Sequence, residues 1–111
     1  MRFEWDEQKN RQNLRKHDVR FETAVLVFDD PYALTQRDFT FEPEDRWITI
    51  GAIGPGSILL VVHTVVEDDD EIIRIISARA AESHERRAYE EAHKGTKARR
   101  QSHRRKARRR D

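Results

Sequence analysis

Apolar residues recur along this chain with distinct spacings, and each spacing predicts a different element. Ile58 to Val66 is apolar at nearly every position, broken only by His63 and Thr64. That is the pattern of a central strand covered on both faces. Arg46 to Ala52 alternates, with Trp47 and Thr49 on one face and Ile48 and Ile50 on the other. Ala33 to Phe39 predicts a strand before it, and Glu71 to Ala78 a strand after the apolar run. Phe41 to Asp45 reads as a charged loop, and Gly54-Pro55-Gly56 and Glu67 to Asp70 as turns. Turns this short join antiparallel neighbours.

The ends of the chain predict helices. Arg2-Phe3-Glu4-Trp5 is a short aromatic strand that leads into one, with Asp6 as its N-cap. The first helix spans about Glu7 to Lys16 and is poorly amphipathic, since Leu14 is its only large apolar residue. Asn10, Leu14 and His17 share a face by helical spacing. Such a helix must dock through polar contacts or present a functional surface. A second helix carries Phe21, Ala24 or Val25, and Phe28, and stops at Asp29-Asp30-Pro31 because Pro31 bars Asp30 from helical geometry. Ala81, Glu85, Ala88, Tyr89 and Ala92 form the stripe of a last helix, capped near Glu82 or Ser83. The order is β-α-α-β-β-β-β-α. It predicts an α+β fold with helices packed on an antiparallel sheet.

Charge divides the chain. Of its 22 Lys/Arg and 21 Asp/Glu, residues 94–111 hold 10 and one, leaving 12 and 20 for residues 1–93. The body is therefore at −8 and the tail at +9. A tail whose only apolar residues are Ala98 and Ala107 has too little to bury to fold alone. The expected organisation is one domain, 1–93, and a basic, disordered tail, 94–111. The tail either binds nucleic acid by neutralising phosphates or lies on an acidic surface. The 111 residues contain no cysteine, which excludes a disulfide framework and a cysteine-based zinc site. No apolar run approaches a membrane span, and Met1-Arg2-Phe3-Glu4 lacks the apolar stretch of a signal peptide. The expectation is a cytoplasmic protein without membrane contact.

No glycine-rich phosphate loop and no histidine pair at metal spacing occurs. Asp29-Asp30 and Asp68-Asp69-Asp70 fall at turns and read as a helix stop and a hairpin tip. No metal and no cofactor is expected.

Phe3-Glu4-Trp5-Asp6, Asn13-Leu14-Arg15-Lys16-His17, Val19, Phe21-Glu22 and Phe28-Asp29-Asp30-Pro31 stand at fixed offsets. They are followed by Arg46-Trp47-Ile48-Thr49-Ile50-Gly51, Val61-Val62-His63-Thr64, Ile72 to Ala80, Glu85-Arg86 and Tyr89. In this order, over residues 2 to about 91, the pattern resembles the BrnT family, the toxin half of a bacterial type II toxin–antitoxin pair. The resemblance implies a RelE-like fold and an endoribonuclease that inhibits translation by cutting RNA. It also implies a BrnA-type ribbon-helix-helix antitoxin, expected in a 2:2 heterotetramer that binds operator DNA through the antitoxin. Two departures stand out. Arg20 replaces the small residue usual before Phe21-Glu22, so the side-chain cap of the second helix is lost. The basic tail is also atypical.

Metal-independent RNA cleavage through the ribose 2′-OH needs a base, an acid and cations on the phosphate. The residues expected to supply them are Lys16, His17, His63, Arg74 and Arg79, with Trp5 and Arg46 as substrate contacts. Each has a structural alternative. Lys16 and His17 suit a helix C-terminus, and His63 suits a hydrogen-bonded core position. The arginines suit ion pairs with the abundant carboxylates. Trp5 suits an anchor for the first helix, and Trp47 the core. Arg79, five residues from Arg74, faces the opposite side if the strand is regular. Glu4 and Glu22 are possible bases that nothing in the sequence singles out. The rival reading is a noncatalytic, antitoxin-binding module whose tail tethers it to nucleic acid. It gains if the arginines are locked to carboxylates and no basic pocket joins Lys16, His17 and a strand arginine.

Overall fold

The expected order of elements is the order found in a computed structural model of the chain, which describes residues 1–38 and 45–93. Residues 41–44 of the expected charged loop and the tail 94–111 lie outside the described residues. The elements are β1 (Arg2–Glu4), α1 (Glu7–His17), α2 (Phe21–Ala24) with a 3-10 turn (Val25–Asp29), β2 (Leu34–Asp38), β3 (Arg46–Gly54), β4 (Ser57–Glu67) and β5 (Glu71–Ala80). A last helix, α3, occupies 83–93.

The strands form one sheet in the order β1-β5-β4-β3-β2. Each of β2 to β5 pairs antiparallel with its sequence neighbour, whereas β1 lies parallel to β5. The long apolar strand β4 is central, as its two-sided apolarity requires. Leu59, Val61 and His63 face the α1–α2 side, while Ile58, Leu60 and Val62 face the side of α3. Trp47 and Thr49 pair with His63 and Val61, so β3 is oriented as its alternation predicts.

α1 docks through amides rather than apolar side chains. Asn10 and Asn13 are its buried residues. Asn13 donates to the carbonyls of Val19 (2.9 Å) and Ala78 (2.8 Å) and accepts from the Ala78 N–H (3.1 Å). Asn10 accepts from the Phe21 N–H (2.8 Å) and donates to Glu7 and Glu22. Asp6 caps the helix as expected, accepting from Gln8 N–H at 2.8 Å. Arg20, at the N-cap of α2, makes no side-chain cap. Asn10 does that work from the neighbouring helix, which is why α2 starts cleanly without a small polar residue of its own.

The second helix differs from expectation. It is helical only to Ala24 and tightens to 3-10 from Val25. Its fully buried residues are Phe21, Ala24 and Val27, three apart, the repeat of a 3-10 helix. The β-branched Val25 and Val27 weaken the α form here. Gly51 makes room for the turn: a Cβ there would stand 3.0 Å from the Val27 Cβ and carbonyl oxygen. Gly56, at φ 75°, closes the β3–β4 hairpin behind Pro55.

Candidate active site on the open face of the sheet

β5 is not regular. Ser77 opposes Val62 and Ile75 opposes His63, leaving Ile76 as an extra residue. A bulge of this kind reverses which face the following side chains take. Ile73 and Ile75 point toward α2, and after the bulge so does Ala78. Arg74 and Arg79 therefore share a face, contrary to the expectation from a regular strand. It is the face away from α1 and α2.

α3 lies on one half of that face. Tyr89 packs with Ile50, Ile58 and Leu60, and its hydroxyl donates to Asp30 Oδ2 at 2.6 Å. Burial and this carboxylate raise the Tyr89 pKa above its ordinary value. Asp30 also accepts from the Tyr32 and Ala52 N–H groups (2.9 and 2.8 Å). It is thus a structural carboxylate, as its place at the helix stop suggests. Arg79 makes a bidentate pair with Glu85 (2.8 and 2.9 Å) at the start of α3. Glu85 also accepts from the Glu82 N–H, completing a capping contact. The Arg79 guanidinium holds the Glu85 carboxyl below its usual range. Arg79 is thus an anchor for α3.

The other half of the face carries Thr64, Val66 and Arg74, with Arg74 and Val66 exposed. Arg74 opposes Thr64 on β4 and Glu4 on β1. Its guanidinium lies 3.3 Å from Glu4 Oε2, and both side chains are close to half exposed (44% and 49%). Such a pair contributes ~0–1 kcal/mol to stability and leaves donors for an incoming anion. Arg46 lies one residue before Trp47, the partner of His63, and so points to this same face beside Thr64. Neighbouring strands lie ~4.8 Å apart, so Arg46 and Arg74 flank Thr64 with backbones ~10 Å apart. Glu4, Arg74, Thr64 and Arg46 form one row across the sheet.

The remaining candidates stand elsewhere. Lys16 is exposed and His17 half-buried at the last turn of α1, on the helix side of the sheet. Register sends Arg74 and Arg79 to the opposite face of the sheet. Trp5 packs edge-on against Phe21 (6.0 Å between centroids) and donates to Glu7 at 3.1 Å, an anchor for α1. Trp47 is half-buried on the helix side with the Arg37 guanidinium 5.3 Å from its ring.

His63 is 1% exposed. Its Nε2 shares a 2.8 Å hydrogen bond with Thr49 Oγ1, which in turn contacts Thr35 Oγ1 at 2.8 Å. Phe28 meets its ring edge-on, and Nδ1 has no partner. Burial lowers its pKa from 6.5 to about 4. A neutral ring sealed in the core does not shuttle protons to a substrate, so the catalytic expectation for His63 is replaced by the core one. A stability prediction follows. The unfolded chain binds this proton below pH 6.5, the folded chain only below about 4. The contribution is therefore complete above pH 6.5 and lost as pH falls toward 4, by roughly 3 kcal/mol in all. Urea unfolding across this range is expected to show that loss in wild type and a smaller one in His63→Gln. Equal losses would place the acid sensitivity elsewhere.

Two arginines absent from the expected site line a groove of about 490 Å³ between the α1–α2 junction, the β3–β4 hairpin and α3: Arg20 and Arg86, with Asp18 and Ser57. Glu4 was also not singled out. Only its parallel register with β5 brings it to Arg74, and a three-residue strand carries no sequence signal for its partner.

The row of cations and a carboxylate on a sheet face can hold a phosphodiester and accept a proton from a neighbouring hydroxyl. No helix among the described residues is long and apolar enough to cross a membrane. No curated protein matches the chain. Its structure is similar to the crystal structure of the Brucella abortus ribonuclease toxin BrnT, at 26% sequence identity and a TM-score of 0.55, over 75% of this chain and 99% of that one. The family model described as the ribonuclease toxin BrnT of a type II toxin–antitoxin system matches residues 5–85. The chain belongs to the BrnT family of ribonuclease toxins of type II toxin–antitoxin systems.

Proposed function

We propose that this toxin is a metal-independent endoribonuclease that inhibits translation by cutting RNA through the ribose 2′-OH, and that its site is the Glu4–Arg74–Thr64–Arg46 row. The observation that carries this reading is the Arg74–Glu4 pair at 3.3 Å on an exposed sheet face. Glu4 takes the 2′-OH proton, the 2′-oxygen attacks phosphorus, and the 5′-oxygen leaves with a proton from water. Arg74 stabilises the charge that builds on the phosphate, where fixed donors have their largest effect. Arg46 holds the adjoining phosphate. The proposal takes Arg74 and Arg46 from the sequence-derived set and adds Glu4. Lys16 and His17 are left as contacts for RNA or antitoxin outside the reacting centre, and Trp5, His63 and Arg79 as structural.

The partner we propose is a BrnA-type ribbon-helix-helix antitoxin in a 2:2 complex, which binds operator DNA. The acidic body suits a basic partner of this kind, and the cysteine-free chain suits the cytoplasm. Purified toxin incubated with RNA in EDTA is expected to leave 2′,3′-cyclic phosphate ends, and its expression is expected to arrest growth. Cleavage abolished by EDTA and restored by a divalent ion would overturn the metal-independent chemistry.

One observation favours the rival, noncatalytic module: Arg79 is locked to Glu85. Well-folded toxin that binds antitoxin, cuts no RNA and arrests no growth would establish that reading.

A further inference from the structure

We infer that the half-buried apolar strip beside the Glu4–Arg74–Thr64–Arg46 row seats one nucleobase of the RNA, next to the scissile phosphate, and that Gln36 reads its edge. Ile48, Val62 and Ile76 form the floor. This rests on the reading of the row as the reacting centre.

Register places the strip. Gln36 pairs with Ile48, Ile48 with Val62, and Val62 with Ser77. Cross-strand partners share a face, and Ile48 and Val62 pack against the cluster around Tyr89, so the face is the open one. Ile76 turns the same way, because its neighbour Ile75 points toward α2. The floor lies two residues along each strand from the row: Ile48 from Arg46, Val62 from Thr64 and Ile76 from Arg74. Two strand residues span ~7 Å, comparable with the reach from a phosphate across its ribose to the base.

Three features suit a base. The floor is aliphatic and only half-buried, and a nucleobase lays its face on apolar side chains. α3 covers the next row, where Tyr89 packs with Leu60 and Ile50, so the helix stands as a wall along one side while Arg46 and Arg74 border the other. The strip is also uncharged: Gln36, Ile48, Val62, Ile76 and Ser77 include no carboxylate, although residues 1–93 hold 20 Asp/Glu. A polyanion that meets the row is therefore not repelled by the floor beside it. Gln36 is exposed at the β2 end, and its amide offers both a donor and an acceptor to a base edge. An antitoxin segment would bury the strip as well. A strip one residue row wide and bordered by cations matches the apolar base and anionic phosphate of a nucleotide together. The strip selects the bond, and the row cuts it.

The test uses the full chain and oligonucleotides 2′-O-methylated at every position but one, so that a single ribonucleotide fixes the scissile bond. The base of that nucleotide, or of the next, is varied among the four or removed. For the wild type, removing the base at one of these two positions is expected to lower kcat/KM about 10-fold, mainly through KM. Val62→Thr combined with Ile76→Gln, its folding checked by circular dichroism, is expected to lose a similar factor on the complete oligonucleotide and little more on the abasic one, because both changes remove the same contact. Gln36→Ala, at an exposed position that the fold does not need, is expected to change the ranking of the four bases. An abasic oligonucleotide cut by the wild type as fast as the complete one would overturn the inference. So would losses that multiply in full, or a ranking that Gln36→Ala leaves intact. Variants that cut normally but release the antitoxin would assign the strip to that partner and overturn it too. If the wild type cuts none of the oligonucleotides, the cleavage reading fails by itself, and the strip is read by fluorescence anisotropy on the fully 2′-O-methylated oligonucleotide with and without its bases. Binding about 10-fold weaker without bases, a difference lost in the Val62→Thr/Ile76→Gln variant, keeps the base seat. Equal binding removes it.

Discussion

Arg74→Ala is expected to lower kcat for RNA cleavage by about 100-fold or more, with the melting temperature unchanged. The size follows from the role. A donor fixed where charge develops acts on the transition state, and removing one such group costs ~10²–10³ in rate. The unchanged stability follows from exposure: the Arg74–Glu4 contact is single, 3.3 Å long and close to half open to water. Replacement by Lys keeps the charge but not the forked donors, so partial rescue is expected. Glu4→Gln provides the complementary measurement. If Glu4 accepts the 2′-OH proton, its loss lowers the rate of cleavage while binding of uncleavable RNA is kept. An Arg74→Ala protein that cuts at the wild-type rate would remove the open face as the reacting centre. The Arg20–Arg86 groove would then be the next surface to test.

Asn13→Ala is expected to destabilise the fold by about 3–5 kcal/mol, more than the loss of most apolar side chains in a domain of this size. One amide satisfies three backbone groups: the Val19 carbonyl and both polar groups of Ala78. Each buried group left without a partner costs ~1–3 kcal/mol. The Ala78 groups have no strand neighbour to turn to, because β1 pairs only Ile72 to Arg74 of β5. Asn13 thus stands in for a missing strand along the second half of β5 while it holds α1 on the sheet. Chemical denaturation of the variant, with secondary structure followed by circular dichroism, measures the loss. A change below about 1 kcal/mol would mean that water or a shifted α1 replaces the amide. The expected consequence for function is indirect, since α1 is the surface on which Lys16 and His17 stand.

The elements that carry a strong periodic signal were legible without the structure. β3 and β4 are where alternation and two-sided apolarity predict them, and Asp6 caps α1 as its side chain allows. Arg20 fails to cap α2, as a side chain without an acceptor must. The weak amphipathicity of α1 correctly implied polar docking, but helical spacing from Leu14 pointed to Asn10 and His17 rather than Asn13. The second helix is shorter than Phe21, Ala24 or Val25, and Phe28 predict at α spacing, because the residues it buries are Phe21, Ala24 and Val27, at the 3-10 repeat.

The candidate site was legible only in part. Arg74 stands out as a cation inside an apolar strand and Arg46 as the cation that opens the Trp47 strand, signals that persist in a single sequence. That Arg79 shares their face was not legible, because it depends on Ile76, and that Glu4 meets Arg74 was not, because it depends on the parallel register of β1. A bulge shifts every later side chain to the other face, and nothing in Ile75-Ile76-Ser77 announces it. The fate of His63 was likewise open. The residue type allows catalysis or burial, and only the packing of Phe28 and the Thr49 hydroxyl against it decides for burial. Local sequence by itself determined the elements, their order, the central strand and the division of charge, since these follow from periodicity and composition along the chain. The tertiary structure alone decided which cations meet, which are locked to carboxylates and which histidine is sealed from water. Those outcomes depend on strand register and on contacts between residues up to 70 positions apart, as Glu4 and Arg74 are.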